Sequence, residues 1–126
     1  MLELTFRHLR QQNIARCEDV FFPLMSWTPT DWACATAGEI GEACNLVKKL
    51  RRGETVAPED IADELGDAVI YADLLCARLG VTLEAAICRK FNAVSARRGS
   101  SVVLDETQRD APAQERGPSG ATIAGP

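Results

Sequence analysis

Two short acidic stretches constrain the fold more than any other feature of the chain. They are Gly38-Glu39-Ile40-Gly41-Glu42 and Asp63-Glu64-Leu65-Gly66-Asp67. Each sets two carboxylates three residues apart, a spacing that places both on one face of an α-helix. At about 100° per residue, Trp32, Ala43, Leu46 and Leu50 fall within about 40° of Glu39, and Glu42 lies about 60° to one side. The second stretch repeats the arrangement, with Ala68, Tyr71 and Leu75 around Glu64 and Asp67 about 60° away. The acids therefore occupy the apolar stripes of two helices, where an amphipathic helix ordinarily carries none.

Gly53 lies about midway between the two stretches. A helical hairpin turning there brings Glu39 and Glu42 to face Glu64 and Asp67 at one level. Four carboxylates in one partly buried volume cannot all remain ionised unless protons or cations offset their repulsion. A hard divalent ion bound by oxygen ligands answers that requirement, Mg2+ first and Mn2+ as the alternative. With basic groups nearby, such a cage points to chemistry on a polyphosphate, whose oxygens complete the coordination shell.

The chain order supports a helical reading throughout. A moderate helical pattern runs from Leu2 to about Phe22, interrupted around Gln11 to Asn13, and His8 within it reads as a surface or hinge residue. Thr28-Pro29-Thr30-Asp31 is a helix start, with Thr28 as N-cap, Pro29 in the first turn and Asp31 at the dipole's positive end. This second helix runs to Arg52 and stops at Gly53, preceded by Lys48, Lys49, Arg51 and Arg52. Lys49 lies about 20° from Glu42 and is the better phosphate candidate, whereas Lys48 projects away from Glu39. Pro58 opens a third helix that ends at Gly80, and Thr82 caps a fourth that runs to about Arg97 and stops at Gly99. Val69 and Ile70 lie off the stripe that carries Ala68, Ala72, Leu75 and Leu79. The third helix is thus apolar on two sides, which predicts a second copy of the chain as a partner. Glu59, Asp60 and Asp73 read as acids of a solvated face, and Trp27 and Trp32 as core aromatics. The fold class is all-α, resembling a four-helix bundle. A helical domain is expected over residues 1–99 and a disordered tail over 100–126, where periodicity is lost and Pro, Gly, Ala, Ser and charged residues dominate.

Composition excludes several functions. The net charge of −4, with Lys and Arg gathered near helix ends, argues against a nucleic-acid polymer as partner. The five cysteines contain no Cys-x-x-Cys pair and read as reduced core residues of a cytoplasmic protein. Charges from Glu3 onward speak against a leader, and the longest uncharged run, about Phe21 to Thr30, is too short for a membrane span.

The pattern Gly38-Glu39-x-Gly41-Glu42-Ala43, Lys48-Lys49, Asp63-Glu64-Leu65-Gly66-Asp67-Ala68-x-x-Tyr71, Lys90-Phe91-Asn92 and Ser95-x-Arg97-Arg98-Gly99 resembles the MazG-like all-α nucleoside triphosphate pyrophosphohydrolases, in particular their dCTP pyrophosphatase-like branch. The resemblance covers roughly Trp27 to Gly99. It implies a MazG-type helical fold working as a homodimer or homotetramer, and a Mg2+-dependent cleavage between the α and β phosphates that yields a nucleoside monophosphate and pyrophosphate. By position it makes Glu39, Glu42, Glu64 and Asp67 the metal ligands and catalytic acids, one of them also orienting the attacking water. It makes Tyr71 a nucleotide-site residue, and Lys49, Lys90, Asn92 and Arg97 phosphate or sugar contacts. Many members carry a further Glu just before the first acid; this chain has Gly38 there, which bears on the metal count and the general base. A phosphoribosyl-ATP pyrophosphohydrolase shares the implied architecture. A non-catalytic, metal-stabilised interaction module is the reading from a different class. A di-iron carboxylate bundle requires Glu-x-x-His pairs, which the single histidine does not make.

Overall fold

The structure, a computed structural model, describes residues 3–104. Its elements are α1 (Phe6–Val20), a 3-10 turn (Leu24–Ser26), α2 (Pro29–Arg51), α3 (Pro58–Arg78) and α4 (Leu83–Arg97), with no strand among the described residues. The all-α class expected from periodicity is the class observed. The chain divides after Ile87 into two units.

In the first unit, α2 and α3 form the hairpin and pack along their length, and α1 lies against α3. The start of α2 is fixed by a reciprocal cap. The Asp31 N–H donates to Thr28 Oγ1 at 3.3 Å, and the Thr28 N–H donates to Asp31 Oδ2 at 2.8 Å. The Thr28 backbone N–H and then its hydroxyl hold the Asp31 carboxyl below its ordinary pKa. At the other end, Gly53 adopts a φ of +86°, and the Glu54 N–H closes back on the Lys49 carbonyl at 3.1 Å. A side chain at residue 53 would strain that left-handed turn, so the glycine sets where the hairpin reverses.

Cys17, Trp32 and Leu74 form the buried core, with Leu24, Trp27, Tyr71 and Leu75 packed against it. The segment between α1 and α2 is bound to this core by two hydrogen bonds, one local and one long-range. The Trp32 indole donates to the Leu24 carbonyl at 3.2 Å, and Arg78 Nε donates to the Trp27 carbonyl at 2.9 Å. Both tryptophans thus serve the core, as expected.

The first helix, expected from Leu2 to about Phe22, is observed as α1, continuous through Gln11 to Asn13, where Asn13 is buried and its side-chain amide binds another helix. Two sequence expectations need correction. Asp73 is not on a solvated face. It is 2% exposed and paired with Arg10, Nε to Oδ1 at 3.0 Å. The cysteines are all free, but Cys17 alone is buried; Cys34 and Cys44 are exposed, and Cys76 and Cys88 half-buried.

The second unit holds the greater part of α4 and the segment after it. Asn92 Nδ2 donates to the Leu104 carbonyl at 2.9 Å, and the Leu104 N–H returns a bond to Asn92 Oδ1 at 2.8 Å. Residues 100–104 are therefore anchored to α4 through one amide. The remainder of the expected tail, from residue 105, lies outside the described residues.

Candidate metal centre and adjoining cavity

Glu39 on α2 and Glu64 and Asp67 on α3 converge across the hairpin. Each offers a carboxylate oxygen within 4.8 Å of those of the other two. Opposite corners of a Mg2+ octahedron are about 4.2 Å apart, so a small adjustment of side chains suffices for a common ion. The donors are all carboxylate oxygen, with no thiolate or imidazole among them, which is the ligand chemistry of a hard divalent cation. Glu42 is exposed and stands outside this triple, yet its charge is felt at Glu39.

The Glu39 carboxyl is raised above its ordinary pKa. Desolvation is the first cause, followed by a hydrogen bond with Glu64 and the charges of Asp67, Glu64 and Glu42. A hydrogen bond between two carboxyl groups needs a proton, so each of these causes favours the protonated form of Glu39. A divalent cation would favour the ionised form instead.

Beside the acids opens a cavity of about 320 Å3. Glu39 and Asp67 stand on its wall with Arg16, Asn13 and Tyr71, and apolar groups, including Phe21 and Ile70, supply the remainder. Tyr71 is held neutral. Burial raises its pKa first, and the charges of Glu39, Asp67 and Cys17 add to the effect. Burial likewise keeps the Cys17 thiol protonated. An aromatic series joins this wall to the core, with ring centroids 6.3 Å apart for Trp32 and Tyr71 and 4.5 Å for Trp27 and Trp32.

The other residues singled out from the sequence fall in two groups. Lys49 is exposed on α2, about two turns beyond Glu42. Lys90, Asn92 and Arg97 belong to the second unit, where the Asn92 side chain is engaged with Leu104. Sequence reasoning missed Asn13 and Arg16. Their signal was present, since with Cys17 they stand at i, i+3 and i+4, one face of α1. No protein-family model, curated protein or solved structure matches the chain.

Proposed function

We propose that the protein is a divalent-metal-dependent nucleotide pyrophosphohydrolase, cleaving a nucleoside triphosphate between its α and β phosphates. The observation that carries this reading is the convergence of Glu39, Glu64 and Asp67, two of which, Glu39 and Asp67, line a cavity large enough for a small planar ligand. Pockets for small molecules run from roughly 300 Å3 upward, and this one mixes apolar groups with the polar side chains of Asn13, Arg16, Glu39, Asp67 and Tyr71.

Mg2+ bound by these acids would supply Lewis acidity toward a phosphoryl oxygen and charge neutralisation for the phosphate chain. The protein's own groups account for the rest. Glu39, Glu64 and Asp67 would hold the ion, and Glu42, exposed and one turn from Glu39, would orient a water and accept its proton. Arg16 offers a fixed positive charge with planar donors to a phosphate or carbonyl oxygen. Tyr71, kept neutral, keeps its hydroxyl as a hydrogen-bond donor. The resemblance noted above supports Glu39, Glu64 and Asp67 as metal ligands and Tyr71 as a nucleotide-site residue, and it counts Glu42 among the metal ligands as well. It also supports a homo-oligomeric enzyme, in keeping with the exposed apolar side chains of α2 and α3.

The test is incubation of the purified protein with nucleoside triphosphates and Mg2+, resolving pyrophosphate from orthophosphate. Pyrophosphate with a nucleoside monophosphate is the expected pair. Orthophosphate release alone, or no turnover across the panel, overturns the reading.

A further inference from the structure

Asn13 is 3% exposed, lines the cavity, and holds the one buried side-chain polar atom among the described residues that has no hydrogen-bond partner, its Oδ1. Its orientation is determined by its surroundings. Nδ2 donates to the Ile70 carbonyl at 2.9 Å and to Asp73 Oδ2 at 3.2 Å. Reversing the amide would set Oδ1 against a carbonyl and a carboxylate, so the acceptor end cannot turn inward. Asp73 is fixed in turn by Arg10, whose guanidinium also binds the Asp73 and Val81 carbonyls at 3.3 and 2.9 Å. A buried acceptor left unsatisfied is costly, and a ligand that supplies the missing donor recovers that cost.

We propose that Asn13 is the specificity-determining residue of this cavity, and that its Oδ1, held in place by Asp73 and Arg10, accepts a hydrogen bond from the exocyclic amino group of a heterocyclic base. The base identity rests on the pyrophosphohydrolase reading; the demand for a donor does not. An amino group is favoured over a ring imide for a local reason. An imide N–H is flanked by two carbonyl oxygens that both need donors. Nδ2 is already engaged, and beyond it the lining offers only Arg16 and Tyr71 as strong donors among Cys17, Phe21, Ile70, Leu74 and two acids. An amino group projects from the ring and reaches Oδ1 without bringing carbonyl acceptors against that wall. Asp73 and Arg10 are positioning residues in this scheme, touching the amide and not the ligand.

Binding of nucleoside monophosphates, followed by calorimetry without metal, tests the proposal independently of turnover. Cytidine monophosphate is compared with the monophosphate of pyrimidin-2-one riboside, which lacks only the amino group, and adenosine monophosphate with that of purine riboside. At least one amino ligand should bind about tenfold or more tighter than its deaminated counterpart. In Asp73→Asn the residue 73 amide can donate to Asn13, freeing that side chain to turn, so the preference should fall toward unity. A merely structural role for Asp73 would weaken both ligands alike and leave their ratio unchanged. Equal binding within both pairs overturns the proposal, and so does the absence of binding by all four ligands. Amino selectivity in a protein that hydrolyses no triphosphate would overturn the hydrolase reading alone. Hydrolysis without amino selectivity would overturn this one alone.

Discussion

Glu64 is the residue at which the metal reading makes two opposite predictions from one substitution. Glu64→Gln keeps the side chain's size and can still hydrogen-bond Glu39, but it removes one of three converging charges. Turnover should fall on the order of 100-fold or more, because loss of a ligand costs at least as much as loss of a partner behind a ligand. The metal-free variant should melt no lower than the metal-free parent, and Mg2+ should no longer raise its melting temperature. A metal-free variant that unfolds well below its parent would make Glu64 a structural acid. Glu39 adds a pH dependence whose sign follows from its raised pKa. The folded state binds the proton more tightly than the unfolded chain, so stability from this group is present below its ordinary value of 4.5 and is lost as pH rises through the raised folded value. Thermal melts of the metal-free protein should therefore decline across that interval, and saturating Mg2+ should flatten the decline. A metal-free profile that rises through the same interval would contradict the raised Glu39 pKa.

At the scale of elements, the hairpin was legible because its punctuation is local. Thr28-Pro29 opens α2, Gly53 ends it and Pro58 opens α3, each acting through its own backbone or its immediate neighbours. The placement of Glu39, Glu64 and Asp67 followed from periodicity, since each helix carries its acids on its own apolar stripe. Asp73 was not legible. Its burial depends on Asn13 and Arg10, 60 and 63 residues away in sequence, and helical periodicity reports only on neighbours within one helix. The polar run Gln11 to Asn13 interrupts the apolar pattern of its helix for the same reason, because a buried amide satisfied by a partner helix is indistinguishable from a solvated one in its own segment. This pairing carries energy. Asp73→Ala would strand a guanidinium whose side chain is 21% exposed and an amide buried beside it. Breaking it should cost about 2–3 kcal/mol, below the full value for a buried pair because Arg10 keeps some solvent. Urea denaturation with an unchanged slope would measure that cost. A loss under about 0.5 kcal/mol would place the pair with ordinary surface bridges.

For the whole molecule, the distribution of exposed apolar groups is the unresolved demand of the first unit. Ile40, Val47 and Leu50 on α2 and Leu65 and Val69 on α3 are each between 42% and 50% exposed. Single exposed apolar residues need no explanation, but these recur at helical spacing on two packed helices. Val69 is the side expected from the sequence to meet a partner, while Ile70 beside it turns to the cavity. A second copy of the chain is the partner that the pyrophosphohydrolase reading supplies, and symmetric self-association is the commonest way for one chain to cover such a face. Light scattering at micromolar concentration should give a mass at least twice 13.7 kDa. Val69→Glu should shift it to the monomer value while leaving the helical circular dichroism in place, because residue 69 is outside the buried core. A parent protein that is already monomeric, or a Val69→Glu variant that keeps the higher mass, would remove α3 from the interface and leave its apolar face without an assigned partner.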